Sequence, residues 1–426
     1  MDSSTPSLAA AEQEALPGLF HGSPSERGVL SPKRPAVETA GMADVFPYYA
    51  GFAFEWATKQ LSRDGSHVGS DMTVLDPWNG SGTTTLAAQS LGIRSIGVDR
   101  NPVANVIARL RGETCLKPQL TEAPPPGFGR RFYKASDPLN AWFSDGTARR
   151  FRDWTTALRN ADGSLNAVGA VAVFRVIRRV TKKFEGSNPT WVKRSKSPED
   201  RIRIPARELD DFLLTEQKAL RSRIATQDRP EVGTTILTAS SDSLPLRSNS
   251  VDVVLTSPPY LTRIDYAVAY ARELAILGHD ISADRSLRSS LMGTTLIRKG
   301  ETFSRQFSPV AQELLVNISG HDSKASSGYY LKQAQQYLAD LTDGLNEISR
   351  VCKERALVHL VVQDSFYKDV PVPLAEICID EAAARGWVLE EREQFVVRRS
   401  LVTLNTPARA YKKSNVAESV ITLRRG

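Results

Sequence analysis

The chain has 426 residues, of which 41% are hydrophobic and 24% are charged, and we expect two or three compact units. This composition excludes a disordered chain, and no run of about 18 apolar residues is present to form a membrane span. Lys and Arg number 55 against 48 Asp and Glu, a surplus that favours a polyanionic partner.

The first segment, residues 1–42, is rich in Ser, Pro, Ala and Gly. We predict a flexible arm there, with one short helix near Leu8–Leu16. The arm has no basic residue before its first alanine stretch, so we expect no secretory signal and a cytoplasmic protein. The 3 cysteines lie far apart, which suits a reducing compartment and supports no metal site.

Residues 43–112 are predicted to form the first, cofactor-binding part of an α/β domain. The aromatic segment FPYYAGFAFEWATKQL leads into an amphipathic helix. A strand that ends at Asp76, a glycine loop, a helix, a strand that ends at Asp99 and another helix follow it. This order predicts a βαβα unit with parallel strands.

Residues 113–232 interrupt this pattern, and we interpret them as an insertion and candidate target-recognition region. From Arg111 to Val232 there are 24 Lys and Arg against 15 Asp and Glu, a larger surplus than in the whole chain. A helix predicted over Ala167–Phe184 would place several basic side chains on one broad face, either to contact phosphates or simply to be solvated. The candidate nucleic-acid-binding residues are Arg175, Arg178, Arg179, Lys182, Lys183, Lys193 and Arg194.

Residues 233–426 resume the α/β pattern. The strand SVDVVLTSPPY ends at a Ser-Pro-Pro-Tyr turn, and a helix near Tyr266–Leu277 and a polar stretch at 280–328 come after it. A long helix then leads into the strand ALVHLVVQDS, and two more strands, separated by a helix, follow. We therefore predict an α/β fold with a mostly parallel, doubly wound sheet and a large basic insertion.

The loop DPWNGSGTT follows the first strand, where open α/β sheets bind nucleotides. It lacks the third glycine of a dinucleotide fingerprint and the lysine of a phosphate loop, so NAD and ATP are disfavoured. Asp99, 23 residues after Asp76, is suitably placed to accept hydrogen bonds from two ribose hydroxyls. The pattern suits S-adenosylmethionine, and the alternative is a tight turn followed by a carboxylate that caps a helix.

The pair of motifs DPWNGSGTT and TSPPY resembles the DNA amino-methyltransferases, which methylate an exocyclic nitrogen of adenine or cytosine. The resemblance implies a Rossmann-like class I methyltransferase, S-adenosylmethionine as cofactor, and double-stranded DNA whose target base is flipped out. It also implies a catalytic turn formed by Ser257, Pro258, Pro259 and Tyr260. The cofactor-binding residues that it implies, or that the glycine loop indicates, are Asp76, Asn79, Gly80, Ser81, Gly82, Thr83, Asp99, Asn101, Asp242 and, from FPYYAGF, Tyr49.

The residue types of the turn suit chemistry on an aromatic amine. Such an amine is a weak nucleophile until acceptors hold its hydrogens and localise its lone pair. The Ser257 hydroxyl and the Pro258 carbonyl can be those acceptors, the prolines stiffen the turn, and Tyr260 can stack on a flipped base. No covalent intermediate is needed.

The first residue of the turn bears on the substrate. In the family that the chain resembles, Ser goes mostly with cytosine N4 and Asp or Asn mostly with adenine N6, so Ser257 favours cytosine. Methylation of a ring carbon would need a nucleophilic Cys after a Pro, and none of the cysteines follows a Pro. The alternatives are adenine N6, an RNA or protein amide methyltransferase, and a catalytically silent DNA-binding module; a restriction or defence-system partner is a further possibility.

Overall fold

The computed structural model describes residues 31–33, 41–48, 51–68, 71–114, 122–186, 191–261, 264–298, 305–396 and 417–426. The helix expected near Leu8–Leu16 lies outside these residues. Part of the predicted arm belongs to the fold, because the Ala53 amide donates to the Pro32 carbonyl at 2.7 Å and Lys33 pairs with Phe52. The buried side chain of Met42 also shows that packing begins before residue 43.

Within the described residues, seven strands form one central sheet and two more form a separate hairpin. The strands are β1 (Thr73–Asp76), β2 (Arg94–Val98), β3 (Thr234–Leu237), β4 (Val251–Thr256), β5 (Cys352–Gln363), β6 (Ser365–Tyr367), β7 (Val370–Val372), β8 (Trp387–Val396) and β9 (Ala417–Arg425). The sheet order is β3-β2-β1-β4-β5-β9-β8, with β1 to β5 parallel and β9 antiparallel to both neighbours. This order confirms the predicted α/β fold with a mostly parallel sheet.

Helices connect the strands and cover the sheet. They are α1 (Phe54–Val68), α2 (Thr83–Ser90), α3 (Pro102–Arg111), α4 (Asp145–Ala157), α5 (Ala167–Val180), α6 (Ala206–Ala225), α7 (Tyr266–Ala269), α8 (Ala271–Ile276), α9 (Ser286–Ser289), α10 (Pro309–Gly320), α11 (Leu331–Val351) and α12 (Leu374–Ala383). The helix expected among the last strands is α12, between β7 and β8. No helix in the described ranges has the length and apolar character needed to cross a membrane.

The sheet places the two sequence motifs side by side. Strands β1 and β4 pair in parallel, with Val74 opposite Val253 and Leu75 opposite Val254, so both end at the same edge. Their apolar residues are fully buried because helices cover both faces of the sheet. The chain leaves β1 toward β2 on one side and β4 lies on the other, which opens a crevice at this edge.

The insertion contributes α4, α5 and α6, which pack on α3 and α8 around a shared apolar core. Helix α5 ends at Val180, earlier than expected, and a 3-10 turn over Lys182–Phe184 follows it. The polar stretch at 280–328 also differs from expectation, because it contains α9 and the partly buried helix α10. The helices of the insertion therefore share a core with the sheet domain, and its boundaries as a unit stay a prediction.

Candidate active site

A cavity opens at the carboxyl ends of β1, β2 and β4. Its position is the crevice where open α/β sheets bind ligands. The lining residues are Tyr48, Pro77, Trp78, Gly80, Asp99, Arg100, Asn101, Ser240, Ser241, Asp242, Ser257, Pro259, Tyr266, Ser290, Leu291, Met292, Arg298 and Asp340. The cavity thus joins residues of the glycine loop to residues of the Ser-Pro-Pro-Tyr turn.

Two glycines shape the loop between β1 and α2. Gly80 and Gly82 have φ angles of 49° and 83°, in the left-handed region that favours glycine. A Cβ on Gly82 would lie 2.8 Å from the Cβ of Ala108, and a Cβ on Gly80 would lie 3.0 Å from the Tyr48 ring. The loop therefore needs glycine for its backbone and for its close approach to neighbouring residues.

Asp99 follows β2 and faces the cavity. Its Oδ2 accepts a hydrogen bond from the Gly80 amide at 2.8 Å, and its Oδ1 accepts one from the Asn101 amide at 2.7 Å. Burial raises the pKa of Asp99 to about 6, while these two backbone donors act in the opposite direction. The carboxylate is therefore held in place and has lone pairs left for a ligand.

Asp76 lies beneath the cavity and does not line it. Its carboxylate accepts from the hydroxyls of Thr84 at 2.6 Å and Thr256 at 2.5 Å, and from the Trp78 amide at 3.1 Å. Burial raises the pKa of Asp76 to about 6, against these three hydrogen bonds. Since Thr84 lies in the first turn of the helix after the glycine loop and Thr256 precedes Ser257, Asp76 connects the two motifs rather than facing a ligand.

The Ser-Pro-Pro-Tyr turn reaches the cavity through Ser257 and Pro259. Pro258 is buried, and the Tyr260 hydroxyl lies 3.4 Å from the Ser257 hydroxyl. The Pro259 carbonyl accepts a hydrogen bond from the hydroxyl of Tyr337 at 2.7 Å. One of the four predicted catalytic residues, Ser257, thus places a polar side chain at the cavity.

Of the other predicted cofactor-binding residues, some line the cavity and others support the residues that line it. Asp242 is exposed and lines the cavity, and so does Asn101, whose Oδ1 accepts from the Val103 amide. Asn79 and Ser81 are buried, and Asn79 packs over Gly97, where a Cβ would lie 2.4 Å away. The support positions also include Gly82 and Thr83, while Tyr49 lies outside the described residues.

Sequence reasoning missed several residues of the cavity. Tyr48 forms one wall and stacks on Tyr270, with ring centroids 4.8 Å apart. The FPYY motif carries the signal for this wall, and the residue that lines the cavity is Tyr48, next to the predicted Tyr49. The segment Ser290–Met292 and the ion pair of Arg298 with Asp340 also line the cavity, and no motif or periodicity marks them.

The predicted nucleic-acid-binding residues of α5 do not form one free basic face. The Arg178 side chain is only 13% exposed, and its Nε lies 2.5 Å from Oε1 of the fully buried Glu273. Arg178 also donates to the Pro47 carbonyl at 3.2 Å. Glu216 pairs with Arg175 at 3.1 Å and with Arg179 at 3.7 Å. The common face predicted from helical spacing is therefore wrong for Arg178, which turns inward because the carboxylate of Glu273 lies in the core.

The remaining basic candidates are exposed. Lys182, Lys183, Lys193 and Arg194 lie at the surface near Trp191, whose side chain is 68% exposed. Lys183 donates to the Asp200 carbonyl at 2.9 Å, and Arg194 lies 5.8 Å from the ring centroid of Trp142. These four residues keep their predicted role as a proposal.

Comparison with known proteins gives one related sequence among curated proteins and no matching family model. The chain is 25% identical over 386 residues to the type II methyltransferase M.BsoBI of Geobacillus stearothermophilus. The match covers 77% of this chain and 75% of that protein. The chain is therefore similar in sequence to a methyltransferase over most of its length.

Solved structures that resemble the chain include two methyltransferases. One is the rRNA methyltransferase aviRa of Streptomyces viridochromogenes, with 13% identity, a TM-score of 0.30, and coverage of 92% of this chain and 96% of that one. The other is geranyl diphosphate C-methyltransferase of Streptomyces coelicolor A3(2), solved with S-adenosyl-L-homocysteine, with 10% identity, a TM-score of 0.32, and coverage of 97% and 94%. The α/β fold follows from the sheet itself, in which β1 to β5 run parallel and β9 is antiparallel to both neighbours.

Proposed function

We propose that the protein is an S-adenosylmethionine-dependent DNA amino-methyltransferase that acts on the N4 amine of cytosine in double-stranded DNA. The observation that carries the proposal is the shared cavity: Asp99 and Gly80 of the cofactor motif and Ser257 of the catalytic motif all line it. Asp76 bonds to residues beside both motifs and keeps them in register. The sequence similarity to a type II methyltransferase also supports this proposal.

The residues of the cavity fit the proposed cofactor. Asp99 would accept hydrogen bonds from the ribose, and Asp242 would approach the adenine amine. The Nδ2 of Asn101 and the Nε1 of Trp78 are buried without a partner in the described parts of the chain, so each is a donor available to a ligand. When bound, S-adenosylmethionine supplies an electrophilic methyl group.

The chain's own contribution to the reaction is to activate the target amine. We propose that the base leaves the duplex and that the Ser257 hydroxyl and the Pro258 carbonyl accept hydrogen bonds from its amine. These acceptors localise the nitrogen lone pair toward the methyl donor, which raises the nucleophilicity of the amine. The Tyr260 ring is the proposed stacking surface for the flipped base.

The proposal is tested by identifying the methylated base. Duplex DNA is incubated with the protein and methyl-labelled S-adenosylmethionine, and its nucleosides are analysed by mass spectrometry. We expect N4-methylcytosine, and we expect Ser257→Ala to lower the rate by about tenfold or more while cofactor affinity stays unchanged. No labelled nucleoside from DNA of mixed sequence, with the cofactor bound, would contradict the proposal.

Adenine N6 is the second candidate, because the same acceptors can hold either amine. The cavity offers hydroxyls at Ser257, Ser240, Ser241 and Ser290, each of which can donate or accept. If the labelled product is N6-methyladenine, adenine replaces cytosine as the proposed target base. If RNA carried the label and DNA did not, an RNA methyltransferase would be favoured. If protein carried the label instead, a protein amide methyltransferase would be favoured.

A further inference from the structure

A loop of the insertion presents basic and aromatic side chains to solvent. It comprises residues 127–134, with the sequence GFGRRFYK, and it lies outside the segment predicted to bind nucleic acid. Two of its apolar side chains are unusually open: Phe128 is 51% exposed and Phe132 is 40% exposed. Its three basic residues are accompanied by no acidic residue. Exposed rings next to unneutralised positive charge mark a surface that binds a partner.

The 127–134 loop is held in one conformation. The Asp153 carboxylate of α4 accepts hydrogen bonds from the Gly129 amide at 2.8 Å and from the Gly127 amide at 3.1 Å. Arg150 pairs with the same carboxylate at 3.2 Å. A Cβ on Gly129 would lie 2.3 Å from the carbonyl oxygen of Arg152, so the loop backbone lies directly on the helix. A loop fixed in this way loses little entropy when it binds a partner.

Arginines from the loop and from α4 and the residues after it surround the exposed rings. The guanidinium carbons of Arg131 and Arg159 lie 4.7 and 5.5 Å from the Phe132 centroid, and that of Arg149 lies 4.9 Å from the Tyr133 centroid. Unlike Arg175 and Arg178, none of these three is paired with a carboxylate of the described residues. Arg159 also donates from Nη1 to the Gly163 carbonyl at 2.8 Å. A stacked guanidinium group still presents N–H donors at its edge, which is the geometry that binds phosphate.

We infer that the 127–134 loop, with Arg149 and Arg159, binds the DNA substrate. The arginines contact backbone phosphates, and the phenyl rings of Phe128 and Phe132 stack on exposed bases or enter the stack beside the flipped nucleotide. Nucleic acid is the partner that offers both features, since its phosphates carry dense negative charge and its bases are flat rings. This inference rests on the proposed function and adds a second contact surface to it.

The surface is close enough to the cavity for one duplex to reach both. Arg152 of α4 donates to the carbonyls of Ala275 and Ile276 at 2.7 Å, which joins the base of the loop to the end of α8. Helix α8 is about 9 Å long and starts next to Tyr270, whose ring stacks on Tyr48 of the cavity wall. One turn of duplex DNA is about 34 Å long, so it spans this separation.

The charged part of the surface is tested by the salt dependence of DNA binding. Each phosphate contact contributes about 0.9 to the slope of log K against log salt concentration. The double variant Arg130→Ala, Arg131→Ala is expected to lower that slope by up to about 1.8. The matched control is Arg247→Ala, Lys353→Ala, which removes two exposed cations next to the starts of β4 and β5, at the opposite edge of the sheet, and is expected to leave the slope unchanged.

The aromatic part is tested by Phe128→Leu, Phe132→Leu, which keeps apolar bulk and removes the flat rings. We expect DNA affinity to fall by about fivefold or more with no change in the salt slope. S-adenosylmethionine binding by every variant, measured by calorimetry, shows that the variant is folded.

The outcomes separate this inference from the proposed function. A wild-type protein that methylates DNA, with loop variants that bind DNA as the wild type does, would overturn the inference alone. Loop variants that lose DNA affinity, in a protein that methylates no DNA, would support the surface and overturn the proposed function. Variants that change only self-association in sedimentation would show that the surface binds a second copy of the chain, which also overturns the inference.

Discussion

Asp76 ends strand β1 and Asp99 directly follows the neighbouring strand β2, and burial raises the pKa of each to about 6. In the unfolded chain an aspartate ionises near pH 4, so the folded protein retains protons that the unfolded chain has released between about pH 4 and 6. Each carboxyl therefore contributes stability below pH 4 that is lost as the pH rises toward 6. This pH dependence is the opposite of the usual one, in which folding lowers the pKa of an aspartate and its contribution to stability increases as the pH rises.

Asp99 should also make cofactor binding depend on pH. If its ionised form accepts the ribose hydroxyls, affinity for S-adenosylmethionine should fall by up to about tenfold per pH unit below pH 6 and be constant above pH 7. Asp99→Asn should weaken binding at pH 7.5 by about tenfold and remove most of this pH dependence. Calorimetry from pH 5 to 8 checks both results. A variant with wild-type affinity and pH profile would show that Asp99 does not hold the cofactor.

Tyr337 is predicted to position the catalytic turn. Its hydroxyl donates to the Pro259 carbonyl, and burial raises the pKa of Tyr337 well above its usual range, so it stays a donor at any working pH. Tyr337→Phe should lower the methylation rate by about tenfold with unchanged cofactor affinity, because the turn loses its tether. Tyr367→Phe is the control, since that buried hydroxyl bonds to Ser326 outside the cavity. Equal rates in the two variants would remove this role from Tyr337.

At the level of elements, α11 is the helix that contacts both halves of the site. Tyr337, Asp340 and Gly344 lie on one face of it, at spacings of three and four residues. Tyr337 bonds to the catalytic turn, Asp340 lines the cavity, and Gly344 leaves room for the Trp78 indole of the glycine loop. This helix therefore supports the relative position of the two motifs and also forms part of the cavity lining.

Gly344 is expected to tolerate no side chain. A Cβ there would lie 2.5 Å from Cζ2 of Trp78, so Gly344→Ala should displace the indole, lower the free energy of unfolding by about 1 to 3 kcal/mol and weaken cofactor binding. Gly146→Ala in α4 meets nothing within 4 Å and should be neutral or slightly stabilising. Urea unfolding of both variants measures the difference. A neutral Gly344→Ala would mean that Trp78 can move without cost.

Local sequence patterns predict the helices and strands better than they predict the direction in which the side chains of a helix face. The strands ending at Asp76 and before Asp99 and Ser257 were predictable, because short β-branched runs stop at glycine or proline turns. The sequence predicts helix α5 too, but it also predicts one broad common face for its basic residues. Periodicity shows which residues share a face of a helix, but not what that face packs against. The direction of the Arg178 side chain depends on Glu273, which is 95 residues away in the sequence.

Across the whole molecule, one buried ion pair links the insertion to the cavity wall. Arg178 of α5 pairs with Glu273 of α8, and its guanidinium lies 4.4 Å from the Phe46 centroid and 5.2 Å from the Tyr270 centroid. Tyr270 in turn stacks on Tyr48. The insertion and the cavity wall that contains Tyr48 therefore belong to one packed cluster. We expect a substitution in either of them to displace side chains in the other.

Breaking this pair is expected to be costly. Arg178→Met leaves the fully buried Glu273 carboxylate without its cation and should lower the free energy of unfolding by about 3 to 5 kcal/mol. The double variant Arg178→Met, Glu273→Leu should recover most of that loss, since no charge stays buried. Arg179→Met, at a side chain that is 48% exposed, is the matched control. Urea denaturation that finds the single variant as stable as the control would contradict the coupling.

The composition of the cavity shows where prediction from sequence stops. Asp99, Gly80 and Ser257 were predictable because each belongs to a short motif with its own chemistry. Residues such as Ser290 and Arg298 come from a polar stretch without periodicity, and they reach the cavity only because the chain folds back over it. Their place depends on tertiary packing, which no local pattern encodes.

The sheet order also has a consequence for synthesis. Strand β9 lies between β5 and β8, although β8 is made first. Until Ala417–Arg425 leaves the ribosome, β5 has an open edge and β8 has no partner in the sheet. Open strand edges invite pairing with other chains. The growing protein therefore passes through an interval in which its parallel strands are complete but it is most prone to aggregate, and the arrival of one strand closes both edges.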